Sequence, residues 1–125
     1  MIKKHLAIFS KEAINKLFSG EKTVEVRLSQ KRIPPFGLVG IGDLIFIKPP
    51  GEEIKGQFIV KKVISIEGID VSDWKTIENF LKDKKFLSAH KKAVFATIIF
   101  MDKVEQFITS PIKIPKKDLR GWVVL

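Results

Sequence analysis

Apolar residues in this chain come in short bursts, none longer than Ala93 to Met101, and that run is interrupted by Thr97. Glycine and proline stand between the bursts, at Gly20, Ile33-Pro34-Pro35-Phe36-Gly37, Gly40-Ile41-Gly42, Pro49-Pro50-Gly51 and Gly68. Such a pattern leaves room for strands joined by turns and excludes a membrane-crossing helix, which needs about 20 consecutive apolar residues. The start, Met1-Ile2-Lys3-Lys4-His5-Leu6, is basic, but its apolar stretch ends at Phe9, too early for a signal peptide. A cytoplasmic location is the default expectation, with no membrane contact.

Six strands and one further extended piece emerge. Lys4 to Phe9 is a short strand, and Thr23 to Leu28 alternates strictly, with Val24, Val26 and Leu28 on one face and Thr23, Glu25 and Arg27 on the other. Leu44 to Lys48 follows a turn. Ile54 to Glu67 is longer, and its alternation blurs at Val63-Ile64. Ala93 to Val104 is strongly apolar, Pro111 to Pro115 is an extended piece flanked by prolines, and Gly121 to Leu125 reads as a closing strand.

Helical periodicity is clear in two places. Ser10 caps a first helix whose stripe is Ala13, Ile14, Leu17 and Phe18, stopped by Gly20. Asp70 or Ser72 caps a second, with Trp74, Ile77, Phe80 and Leu81 at helical spacing and Lys82 to Lys85 near its end, where positive charge suits the helix dipole. A doubly wound parallel sheet needs a helix at nearly every crossover, and two or three helices do not suffice. The expected class is α+β: a mixed, mostly antiparallel β-barrel with two or three flanking helices. The 125 residues, without repeats or linkers, make one domain over 1–125.

Composition narrows the chemistry. There is no cysteine, and the two histidines, His5 and His90, stand far apart, so thiol chemistry is excluded and a metal site or cofactor is not expected. The formal charge is +9, from twenty lysines and three arginines against 14 acidic residues. Lysine and isoleucine enrichment without cysteine also fits a heat-adapted proteome. That pattern raises glutamate along with lysine, however, so the net charge points to a polyanionic partner.

The informative stretch is Gly20-Glu21-Lys22-Thr23-Val24-Glu25-Val26-Arg27. On an extended strand Thr23, Glu25 and Arg27 project from one face about 7 Å apart, with Lys22 at the strand mouth beside a glycine turn. A cation, a hydroxyl, a carboxylate and a guanidinium converge there. The arrangement suits one wall of a cleft. It equally suits an ion pair between Glu25 and Arg27 that holds the strand to the first helix.

Gly20, Lys22, Glu25 and Arg27 match the pattern G-x-K-x-x-E-x-R, and in this the chain resembles the ASCH domain family, a branch of the PUA-like fold. A helix precedes the motif and Gly42-Asp43 opens a strand after it, as is usual in that family. The resemblance extends from about Leu6 to Glu67. It implies a small, partly open β-barrel that binds RNA or a modified nucleobase in a cleft lined by Lys22, Glu25 and Arg27; Thr23, which shares a strand face with Glu25, is a further candidate contact.

Some proteins similar to ASCH domains deacylate N4-acetylcytidine, with a lysine from this motif, a threonine nucleophile three residues after it and a distant glutamate. Here the lysine is Lys22, the nucleophile position holds Glu25, and Glu78 is the candidate for the distant glutamate. That departure weakens the amidohydrolase reading. Other relatives have been proposed to cleave RNA, for which Glu25 would activate a 2′-hydroxyl while Lys22 and Arg27 stabilise the developing charge. Catalysis, if present, would run through Lys22 and Glu25.

Around the motif, Lys31 and Arg32, with Lys113, Lys116 and Lys117, are candidate phosphate contacts. Lys82, Lys84, Lys85, Lys91 and Lys92 would extend a basic track. Phe36 is the candidate stacking platform. Trp74 and Phe46 are expected in the core, and Trp122 either closes the barrel or caps the pocket. His90 is a loop residue, and His5 is too isolated to serve as ligand or base.

Overall fold

The computed structural model describes residues 1–109 and 120–125. The chain enters through β1 (Lys4–Ile8) and turns into α1 (Lys11–Ser19). The Ser10 hydroxyl accepts the Ala13 amide at 3.1 Å, satisfying one of the donors a helix start leaves open. Gly20 ends the helix at φ +86°, a left-handed conformation that a side chain would strain, and its N–H returns to the Leu17 carbonyl. This cap turns the chain back so that Lys22 leads into β2 (Val24–Ser29).

A loop over residues 30–43 leads to β3 (Leu44–Lys48), and β4 (Gly56–Glu67) follows. Then come α2 (Val71–Phe80), α3 (Lys84–Ala89), β5 (Phe95–Gln106) and β6 (Trp122–Val124). The strand order is β2-β5-β4-β3-β1-β6. The β1–β3 pair is parallel, and the other four pairs are antiparallel.

The sheet curls into a half-barrel, and its two edges approach each other. Arg27 on edge strand β2 donates from one terminal nitrogen to the Ile8 carbonyl at 2.8 Å, and its other points at the Gly121 carbonyl ahead of β6 at 3.5 Å. The inside of the curl is filled by Phe9, Ile45, Ile47, Phe58, Ile99 and Trp122, with Ile14 and Leu17 of α1 plugging it. Each such fully buried aliphatic contributes about 1.5–3 kcal/mol. On the outer side, α2 lays Ile77 against Val26, Ala96 and Ile98 of β2 and β5, a second cluster joined by Val24, Leu28 and Trp74. The expected alternation of β2 is thus realised, with its valines and Leu28 toward α2 and its charged residues toward the mouth of the curl. A third cluster, Leu6, Phe46 and Ile54, packs on the back of β1 and β3, so Phe46 is core.

Three points of the sequence reading acquire a physical cause, and one lies outside what the structure describes. The blurred alternation of the fourth strand is a register shift against β5 between Val60 and Lys62, a bulge that lets the long pair coil. Lys82 to Lys85 do not sit on the last turn of the second helix, which ends at Phe80. Asp83 accepts the Phe86 amide and starts the separate helix α3, so two of these lysines belong to the next helix. Asp70, not Ser72, caps α2, in a reciprocal box with Asp73. The expected extended piece from Pro111 to Pro115, and with it Lys113, Lys116 and Lys117, lies outside the described residues.

Candidate functional site

The Gly20–Arg27 stretch assembles at the mouth of the half-barrel. Lys22 Nζ lies 3.0 Å from one oxygen of Glu25 and donates to the Val24 carbonyl, while Arg27 Nε donates to the other oxygen at 2.9 Å. Both carboxylate oxygens of Glu25 are therefore held by cations, and the three side chains carry a net +1. They are well shielded, with 20%, 13% and 23% of the Lys22, Glu25 and Arg27 side chains exposed. Arg27 is further held between aromatic faces, its guanidinium 4.9 Å from the Phe9 ring centre and 5.3 Å from Trp122. The expected Glu25–Arg27 ion pair is thus present. Through Arg27 it holds β2 to the end of β1 and the start of β6; the expected tie to the first helix is not what Arg27 makes.

Thr23 is exposed and precedes β2; its carbonyl accepts the Met101 amide and extends the ladder with β5. It lines, with Lys22 and Lys16, a depression between α1 and the α2–α3 junction. Arg27 opens onto a different cavity of about 620 Å³ between the two edges of the sheet. Phe36, Leu38 and the two loop prolines form one wall of it. Arg120, Gly121 and Trp122 form the other, and Thr97 and Ser29 line it as well. Thr97 is the register partner of Arg27. Phe36 is half-buried, packed on Phe95 at 4.9 Å, with the Arg32 guanidinium 4.9 Å above its ring. Arg32 also pairs with Glu67 at 2.6 Å, and Lys31 is exposed nearby in the chain. Phe36 and Arg27 thus share a cavity, Lys22 and Thr23 share another, and Glu25 stands between the two cations.

Trp122 is buried in the cluster that fills the curl, and it also lines the cavity. Its indole N–H donates to His5 Nδ1 at 3.0 Å, while His5 Nε2 lies 2.8 Å from Asp43 Oδ2. Because an indole can only donate, Nδ1 is the acceptor and the proton on Nε2 goes to Asp43. Asp43 also accepts the backbone amides of Lys3 and Gly40. Burial works to raise its pKa, but the two amides and His5 together outweigh it and hold the carboxyl below its ordinary value. His5 is therefore not isolated, being buried at the centre of a chain from β6 through β1 to the turn before β3. A His and an Asp far apart in sequence gave no local signal of this, and Arg120 and Thr97 were equally silent before the topology brought them to the cavity.

Glu78 is exposed on α2 and lines a groove with Trp74, away from Glu25. Trp74 is half-buried, and His90 ends α3, stacked on Phe86 at 4.0 Å. Among the described residues no group of three or more His, Asp or Glu side chains is placed to hold a metal ion. No helix there is long and apolar enough to cross a membrane.

No protein-family model matches the chain, and no curated protein matches it in sequence. Its structure, however, is similar to crystal structures of the ASCH protein of Zymomonas mobilis. A serine-to-alanine variant of that protein superposes with TM-score 0.70 at 17% identity, covering 98% of this chain and 88% of the other. A tyrosine-to-phenylalanine variant gives 0.61 at 20% identity, over 83% and 72% of the two chains. A third crystal structure of the same protein gives 0.61 at 18% identity, over 83% and 70%. With a six-stranded, mostly antiparallel half-barrel and three helices among the described residues, and this correspondence over nearly its full length, the chain has the ASCH-type α+β fold.

Proposed function

We propose that this chain is a single-domain member of the ASCH family that binds single-stranded RNA, or a modified nucleobase within it, in the cavity between β2 and β6. The observation that carries the reading is the composition of that cavity. Two arginines, Arg27 and Arg120, a half-buried aromatic ring at Phe36 and the Thr97 hydroxyl line one space of about 620 Å³. A base needs a ring to stack on and hydrogen-bonding groups at its edge, and its phosphates need cations at the rim. Lys31 and Arg32 stand in the loop that carries Phe36, and Lys22 lies beyond Glu25 in the neighbouring depression. The charge of +9 draws a polyanion toward all of them.

The ion cluster favours binding over catalysis. Glu25 occupies the position that a threonine nucleophile would take, and its two oxygens are engaged at 3.0 and 2.9 Å by Lys22 and Arg27. The cluster presents a preset electrostatic surface, with no oxygen of Glu25 free of a cation.

The test is to incubate the purified protein with cellular RNA and a panel of modified nucleosides, then analyse both the retained and the converted material by mass spectrometry. Retention without conversion is expected, weakened about tenfold by Phe36→Ala, the loss of one stacked base. Conversion abolished by Glu25→Gln would establish a hydrolase instead. RNA affinity unchanged in both Phe36→Ala and Lys22→Ala would show that the cleft is misassigned.

A further inference from the structure

Away from the motif, α2 and α3 meet over a groove of about 810 Å³. Trp74, Leu81 and Leu87 form its apolar floor, and Lys82, Lys84 and Lys91 rim it, with Glu78 the acidic residue at its edge. The lysines are exposed, and among the described residues none of the three makes an ion pair. The Trp74 indole N–H has no hydrogen-bond partner among the described residues and is not sealed from solvent, so the groove offers a donor as well as an aromatic surface. The groove is also continuous with the motif. Leu81 and Lys82 line both it and the depression of about 870 Å³ in which Lys16, Lys22 and Thr23 stand, along with Glu12, Glu21 and Asp83. An apolar floor with an indole, a rim of net charge +2 and an open path to the Lys22 side of the mouth match a stacked base with its phosphates, arriving along one strand.

We infer that the α2–α3 groove is a second nucleotide subsite, which holds a base and flanking phosphates of the same single strand whose other part occupies the β2–β6 cavity. This rests on the RNA reading above and extends it. The strand passes from the cavity across Lys22 and Thr23, over Lys82, and into the groove. Trp74 contacts the base there, and Lys84 and Lys91 take the phosphates.

The test uses fluorescently labelled single-stranded RNAs of two and of ten nucleotides with the full chain, at several salt concentrations. Charge reversal at two exposed rim positions, Lys84→Glu with Lys91→Glu, spares the core, and Trp74→Phe keeps an aromatic ring while removing the N–H donor. The wild-type protein is expected to bind the ten-nucleotide RNA at least tenfold more tightly than the dinucleotide. The double reversal should remove that advantage, leave dinucleotide binding unchanged, and flatten the salt dependence by about 0.7 in log–log slope per lost phosphate contact. Trp74→Phe should weaken only the longer RNA.

Wild-type affinity of the double variant for the longer RNA would overturn the inference. So would an equal loss from a control reversal at Lys11 and Lys55, which lie on another face. Saturation of the groove by an acidic peptide in place of RNA would assign it to a protein partner and overturn it too. If the wild-type protein binds neither RNA, the underlying RNA reading fails; if it binds both lengths equally, that reading stands and the second subsite alone is lost.

Discussion

Three nitrogens of Arg27 reach protein acceptors, Glu25, Ile8 and Gly121, and its guanidinium is packed between Phe9 and Trp122. A lysine at this position keeps the charge but has neither the fork nor the flat face that these contacts use. Arg27→Lys is therefore expected to destabilise the protein by about 2–3 kcal/mol, read from urea denaturation. An unchanged midpoint would mean that the edges of the sheet hold without it.

Asp43 gives a pH dependence of defined sign. Its carboxyl is held below its ordinary value in the folded state, so the unfolded chain binds a proton at a pH where the folded one does not. The stabilisation is complete above the usual carboxylate range and lost as pH falls through and below it. Asp43→Asn should flatten this acid limb when thermal midpoints are followed from neutral pH downward. It should also lower stability at neutral pH, because one amide oxygen replaces two carboxylate oxygens that serve Lys3, Gly40 and His5.

At the scale of elements, the long β4–β5 pair depends on a residue without a side chain. A Cβ on Gly56 would meet the Glu105 carbonyl and the Phe18 ring, the latter at 2.7 Å, so strand and helix close on this position together. Gly56→Ala is expected to cost about 1–3 kcal/mol, as overpacking does, and to loosen α1 first, seen as faster amide exchange at Ile14 and Leu17.

Elements with local signatures were legible from sequence. Ser10 and Gly20 bracket α1, and the alternation from Val24 to Leu28 gives the true faces of β2. The break between α2 and α3 was not legible, since lysines after Phe80 read as a helix end until Asp83 is seen to cap a helix of its own. In the site, the meeting of Glu25 with Arg27 follows from the period of a strand, and Lys22 joins them from the turn ahead of it. The meeting of His5 with Asp43, and of Arg27 with Trp122, depends on a parallel pair and on a curl, and no local pattern encodes either.

For the molecule as a whole, the unbalanced lysines set how any RNA would be held. If the cavity is an RNA site, each phosphate that a lysine or arginine neutralises lowers the logarithm of affinity by about 0.7 per logarithm of salt. A steep slope is expected in fluorescence titrations with single-stranded RNA, falling by about 0.7 in Lys22→Ala. A ligand held by the cavity alone, such as a free nucleoside, should bind with little salt dependence.

The place of β1 between β3 and β6 has a consequence in time. Strand β1 is made before every other element described, yet its second edge stays open until Trp122 to Val124 exist, and His5 has no indole to accept from before then. A chain emerging N-terminus first can form α1 and pair the inner strands early. The guanidinium of Arg27 acquires its second aromatic face, and the cavity its far wall, only when β6 arrives. Synthesis that stops short of Gly121 would leave an open sheet with an exposed edge on β1, so the cavity comes into being after the sheet that frames it.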